Sequence, residues 1–193
     1  QAQAETYLRE LEEVARDTYA DVREAILGLR STDLLHKGMA PTLKEYVLRY
    51  SQQSGVKTEL DVSDEAVQSL PTATEVQVIR VIQESLTNVR KHARASHAWV
   101  RLSAKNGCAQ IVIEDNGQGF DPAHVRGDNW PRFGIQTMRE RTESMKGKLD
   151  IVSTPGKGTK VTLLVPLAGR VEVACGYCWL MSMPWSALAL PAG

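Results

Sequence analysis

Three kinds of hydrophobic spacing run along the chain, and each predicts a different element. Over 5–30, apolar or small residues fall at Leu8, Leu11, Ala15, Thr18, Val22, Ala25 and Leu29, three and four apart, with Val14 and Ile26 widening the stripe. That is the seam of a long helix built to pack against other helices. At about 1.5 Å per residue it would extend roughly 39 Å. A helix lying on its own domain would also carry a stripe, but this length and regularity favour a bundle.

Ser31 to Gly38 reads as a connector, after which Pro41 suits the first turn of a second helix and Gly55 its stop. Val56, Thr58, Leu60 and Val62 then alternate with Lys57, Glu59 and Asp61, the pattern of a half-buried strand. From Pro71 to about His92 the spacing returns to helical, with Val78, Ile79, Ile82 and Leu86 on one face and Val89 beside them. Ala98, Val100 and Leu102 alternate again. Gln110 to Glu114 predicts a strand that ends in the turn signal Asp115-Asn116-Gly117.

Residues 116–133 are polar and rich in turn formers, a loop or lid. A helix is expected from about Gly134 to Lys146, stopped by Gly147. Strands follow at 148–153 and 159–166, joined by Pro155-Gly156-Lys157-Gly158. Strands joined by short turns pair antiparallel, and helices then cover one face. The predicted class is α+β, a two-layer α/β sandwich.

Composition narrows the function. The 193 residues suffice for one or two small domains, and 42% hydrophobic with 24% charged residues describes a soluble globular chain. Lys and Arg number 23, as do Asp and Glu, so there is no electrostatic reason to expect nucleic acid or a membrane surface as partner. Any anion site must be local. Cys108, Cys175 and Cys178 are too few and odd for a disulfide framework, and one C-x-x-C without a second pair is a weak metal or redox signal. No signal peptide is visible, and the most apolar stretch, Val171 to Pro191, is broken by Gly176 and Pro184. A cytoplasmic location is expected, within a longer protein that has room for a membrane anchor.

Three segments carry candidate chemistry. In Gln83-Glu84-Ser85-Leu86-Thr87-Asn88-Val89-Arg90-Lys91-His92-Ala93, Glu84 and Asn88 share a helix face and Lys91 projects nearby. An acid, an amide oxygen and an ammonium on one stripe suit magnesium and phosphate, although such a stripe is often just a solvated face. In Asp115-Asn116-Gly117-Gln118-Gly119-Phe120, a carboxylate at a strand end can accept a hydrogen bond from an exocyclic amine. Gly117 and Gly119 permit positive φ and close approach of a ligand; an ordinary hairpin turn is the plainer reading. Gly134, opening a helix, would aim free N–H groups at phosphate. In Gly156-Lys157-Gly158-Thr159 the threonine hydroxyl would stand beside a base.

Taken in order, these segments resemble the N, G1, G2 and G3 boxes of the gyrase–chaperone–histidine-kinase–MutL ATPase superfamily. The strings QESLTNVRKHA, DNGQGF, FGIQTMRERTESMKG and PGKGT are similar to those of NarL/DegS/DesK-type sensor histidine kinases. The resemblance spans about 5–167. It implies a Bergerat-type ATP-binding fold with a mixed, mostly antiparallel sheet, and ATP with Mg²⁺ as cofactors. It implies Asn88 as a Mg²⁺ ligand, with Glu84 holding a metal-bound water or acting as base. Lys91 and His92 would meet phosphate or ribose. Asp115 would read the adenine amine with Thr159 in support, Gly117 and Gly119 would shape the pocket, and Gly134 would open the lid helix.

VREAILGLRSTDL resembles the second helix of the dimerisation and phosphotransfer domain. The expected division is therefore a partial bundle helix over 1–32, the ATP-binding domain over 33–167, and an apolar tail over 168–193 outside the family's pattern. The four histidines are followed by Lys37, Ala93, Ala98 and Val125, so none has the acidic neighbour of the family's phosphoacceptor. The resemblance implies transfer of the ATP γ-phosphoryl to a histidine absent from this chain, then to a response regulator, with a homodimer as the possible assembly. Two other readings stand beside it: an anti-sigma-factor-type serine kinase, and an ATP-sensing dimerisation module without turnover.

Overall fold

The computed structural model describes Tyr7 and residues 37–68, 70–121 and 132–167. The bundle helix over 5–30, most of the lid and the tail lie outside the described residues. The compact unit from Met39 onward follows the expected order. Helix α1 spans Met39–Ser54, strand β1 Lys57–Val62, helix α2 Asp64–Gln68 and helix α3 Thr72–Asn88. A π-helical segment, Val89–Ala93, continues α3. Strands β2 (His97–Lys105) and β3 (Cys108–Asp115) come next, then helix α4 (Arg132–Ser144) and strands β4 (Lys148–Ser153) and β5 (Thr159–Pro166).

The five strands form one sheet in the order β1-β2-β3-β5-β4. β1 and β2 run parallel because α2 and α3 carry the chain back between them, whereas the other neighbours are antiparallel. Alternation sets the two faces. Val100, Leu102, Ile111, Ile113, Val161, Leu163 and Val165 are buried, while Lys57, Glu59, Arg101, Ser103 and Lys160 are exposed. Helices cover the buried face, giving the two-layer sandwich.

Helix α3 is the centre of the helical layer. Val78, Ile79, Val81, Ile82, Ser85 and Leu86 are all buried, a wider arc than the single face its spacing predicts, because α1, α4 and the sheet all pack on it. Each such aliphatic side chain contributes roughly 1.5–3 kcal/mol by leaving water. From α1, Leu43 and Val47 join this core, and the Tyr50 hydroxyl donates to the Leu86 carbonyl at 2.9 Å, just before the π-helical segment.

The structure adjusts several boundaries. α4 begins at Arg132, so Gly134 is its third residue rather than its opening one. β3 runs on to include Asp115. The short α2 has no periodicity long enough to read; it is held instead by the Ser63 carbonyl, which accepts from the N–H groups of Ala66 and Val67, with Asp64 and Glu65 at its positive end. Among the described residues, no helix is long and apolar enough to cross a membrane.

Candidate functional site

Strand register places three polar side chains in one row. Asp115 on β3 pairs with Thr159 on β5, which pairs with Ser153 on β4. Directly opposite residues point to the same face, here the face under the helices. Two residues deeper, Ile113, Val161 and Ile151 form a parallel apolar row by the same register. The sheet therefore presents an apolar floor with a polar edge.

A cleft lies between this floor and the helical layer. Ser85, Asn88, Val89, His92 and Ala93 line it from α3 and its π-helical continuation, Ile135 and Met138 from α4, and Gly119 and Phe120 from the loop after β3. Counted with the open solvent at its mouth, the cleft holds about 620 Å³ of empty space. Apolar side chains above and below suit a flat ring. Ser85 keeps its own hydroxyl occupied, donating toward Val81 O at 2.8 Å and lying 3.4 Å from the Met138 sulfur.

Asp115 is buried. Burial pushes its carboxyl above the usual carboxylate range, two backbone donors, the N–H groups of Gly117 and Thr159, pull it back, and the neighbouring Glu114 charge adds to the rise. Gly117 N donates to Asp115 Oδ1 at 2.7 Å. A carboxylate accepts about four hydrogen bonds, so Asp115 still has acceptor capacity to offer a ligand.

The loop after Asp115 is tied on all sides. Asn116 Oδ1 accepts from the N–H groups of Ser96 and His97 at 3.1 and 2.9 Å. Gln118 donates through its side chain to His92 O at 2.6 Å and through its backbone to Ala93 O at 2.7 Å, and its own carbonyl accepts from Gly156 at 2.6 Å. Phe120 N donates to Ser153 Oγ at 2.9 Å. The loop thus joins the end of the π-helical segment to the turn between β4 and β5.

Of the residues singled out in the sequence, Asn88, His92, Asp115, Gly119 and Thr159 all line the cleft. Glu84 lies one turn up α3, against Gly134. Gly117 is behind Asp115, with Ala93 and the carboxylate filling the space a side chain would need. Its φ is not positive, so space and not backbone freedom requires glycine there; Gly119 does take a positive φ, of 58°.

Lys91 is exposed and does not line the cleft, whereas His92 does. The π-helical winding widens the difference between these two candidates. Hydrogen bonds reaching five residues back widen the turn, so each residue advances less than the α-helical step of about 100°. After Asn88, Lys91 falls short of the shared face and His92 comes round onto it. Uniform α-helical phase sets His92 about 40° to one side of Asn88 and Lys91 about 60° to the other, so the sequence leaves both as candidates.

Sequence reasoning missed Ser153, Ile151 and Met138. Strand parity held the signal for two of them: Leu149, Ile151 and Ser153 alternate on one face of β4. Met138 required knowing how α4 lies on α3.

Glu84 and Asn88 offer two side-chain oxygens on one α-helical face. Among the described residues there is no group of three or more His, Cys, Asp or Glu able to hold a metal. A divalent ion here would take most of its ligands from phosphate and water, which is the habit of Mg²⁺.

The family model described as histidine kinase-, DNA gyrase B-, and HSP90-like ATPase matches residues 73–169, a span containing every residue of this cleft. The chain is 33% identical over 160 residues to the signal transduction histidine-protein kinase/phosphatase DegS of Brevibacillus brevis, covering 83% of this chain and 40% of that protein. It is 38% identical over 170 residues to an uncharacterized sensor-like histidine kinase of Chloroflexus aurantiacus, covering 86% and 28%. The chain therefore spans well under half the length of these relatives. Among solved structures, the blue-light activated histidine kinase of Erythrobacter litoralis EL346 shares the fold with a TM-score of 0.61 and 20% identity, over 83% of this chain and 50% of that one.

Proposed function

The chain belongs to the histidine kinase-, DNA gyrase B- and HSP90-like ATPase family, and on that premise we propose that it is the ATP-binding catalytic module of a two-component sensor histidine kinase. The observation that carries this reading is the cleft itself: one apolar floor with Asp115 and Thr159 at its edge, facing Asn88 and His92 on the opposite wall. A purine fits between the apolar rows, its amine against Asp115. The phosphates then lie toward Asn88, His92 and the free N–H groups at the start of α4, a favourable place for anions.

Bound Mg²⁺ supplies neutralising charge to the phosphates. Asn88 would hold it, and Glu84 would orient a water or accept a proton. The protein's other contributions are positioning and exclusion of water, which carry most of phosphoryl-transfer catalysis. The acceptor is a histidine supplied from outside this chain, since none of the four present has an acidic residue after it. A response regulator receives the phosphoryl group next.

The test is a calorimetric titration with a non-hydrolysable ATP analogue, with and without Mg²⁺ and with GTP as control, followed by phosphotransfer to a separate acceptor-helix protein. Adenine-specific, Mg²⁺-responsive binding and acid-labile labelling of the acceptor histidine are expected. Absence of adenine-specific binding overturns the reading. Binding without any labelling restricts it to nucleotide sensing.

A further inference from the structure

We infer that Ser153, which stands behind the cleft, is a positioning residue that sets the hydrogen-bond polarity of Thr159 and thereby the selectivity for a 6-amino over a 6-oxo purine. This rests on the nucleotide-binding reading above.

Ser153 ends β4 and is 9% exposed, and it is not among the cleft-lining residues. Its hydroxyl has three partners. Phe120 N lies at 2.9 Å, Gly158 O at 3.1 Å and Thr159 Oγ1 at 2.9 Å. Phe120 N–H can only donate and Gly158 O can only accept. Ser153 and Thr159 each bring one proton.

One arrangement satisfies every group. Thr159 donates to Ser153, Ser153 donates to Gly158 O, and Ser153 accepts from Phe120 N–H. Thr159 then turns only lone pairs toward the cleft. In the reverse arrangement, Ser153 spends its proton on Thr159 and Gly158 O loses its short donor, keeping only the Thr154 N–H at 3.4 Å. Leaving a buried acceptor poorly satisfied is costly, so the first arrangement prevails.

The consequence concerns the ligand. Asp115 is an acceptor, and register puts Thr159 beside it. With its proton committed to Ser153, Thr159 is a second acceptor at the same edge. An amine satisfies two neighbouring acceptors, directly or through a water, whereas a carbonyl oxygen faces two lone-pair surfaces. Without Ser153, the Thr159 proton is free to turn inward and serve a carbonyl.

The experiment compares ATP and ITP affinities by calorimetry in the wild type, Ser153→Ala, Thr159→Val and the double variant. ITP differs from ATP at position 6 and the adjoining ring nitrogen and lacks guanine's 2-amino group. Ser153→Ala is expected to lower the ATP:ITP affinity ratio by roughly threefold to tenfold, the worth of one hydrogen bond, and to leave it unchanged when valine already occupies 159. Equal loss for both nucleotides in Ser153→Ala, meaning only that Phe120 has lost its anchor, overturns the assignment. So does a ratio shift that persists in the Thr159→Val background. A wild type that binds neither nucleotide overturns the nucleotide reading and this inference with it; a wild type that prefers ATP while Ser153→Ala keeps that preference overturns this inference alone.

Discussion

The carboxylate of Glu84 occupies the space that a side chain at Gly134 would need. A Cβ built on Gly134 overlaps Glu84 Oε1, lies 3.2 Å from Cδ, and comes within 3.7 Å of Asn88 Nδ2. The first turn of α4 therefore rests on the Glu84–Asn88 stripe of α3, and glycine is what allows that approach.

Gly134→Ala separates folding from function at this contact. Alanine is favoured over glycine in a helix by about 1 kcal/mol, so the melting temperature should hold or rise slightly once Glu84 moves aside. Mg²⁺-dependent phosphotransfer should nevertheless fall by roughly tenfold or more, because Glu84 is displaced, and a 1 Å misplacement can cost about a hundredfold. Thermal melts and transfer rates on the same preparation check both halves. An active variant would remove Glu84 from the proposed machinery.

Asp115→Asn should weaken adenine nucleotide binding by about 1.5–3 kcal/mol, the range for a hydrogen bond to a charged group. The asparagine amide would also set its donors against the backbone N–H of Gly117 unless it flips. Calorimetry with the ATP analogue measures the loss; unchanged affinity would place the amine elsewhere.

Acidification should weaken binding through the same group. Burial holds the Asp115 carboxyl above the ordinary range, so it protonates at a higher pH than an exposed aspartate and loses acceptor capacity earlier. Folding has the opposite sign. Between the unfolded and the raised folded value the folded state binds more protons, so this group's contribution to stability falls as pH rises through that window. Binding measured against pH for wild type and Asp115→Asn isolates the effect, since the variant lacks this titration while the nucleotide's own titrations are common to both.

The π-helical segment predicts an asymmetry between adjacent residues. His92→Ala should reduce nucleotide affinity by roughly tenfold, whereas Lys91→Ala should stay within about twofold, the usual scale of an exposed substitution. Parallel titrations decide it. The reverse order would mean that Lys91, and not His92, meets the nucleotide.

Asn88→Ala should cost more affinity in the presence of Mg²⁺ than in its absence. The comparison needs only two titrations per protein, and equal losses would exclude Asn88 as a metal ligand.

Much of this was legible without coordinates. Alternation at 56–62 and 98–102 and helical spacing at 78–89 named the elements, because burying one face imposes a period of about two on a strand and about 3.6 on a helix. The order of QESLTN, DNGQGF, the glycine at 134 and PGKGT identified the family, since such segments keep specific side chains and glycines at close approaches. The rest depended on partners distant in the chain. That Asp115, Thr159 and Ser153 form one row follows from register across three strands, and register is a property of the assembled sheet. That Lys91 is turned away while His92 lines the cleft is set by a local winding change that begins after Asn88 and ends where Gln118 holds the His92 and Ala93 carbonyls. Local sequence determined the period of each element and the chemistry it carries. Only tertiary packing decided the phase of that helix against the sheet, and so which of the available side chains meet.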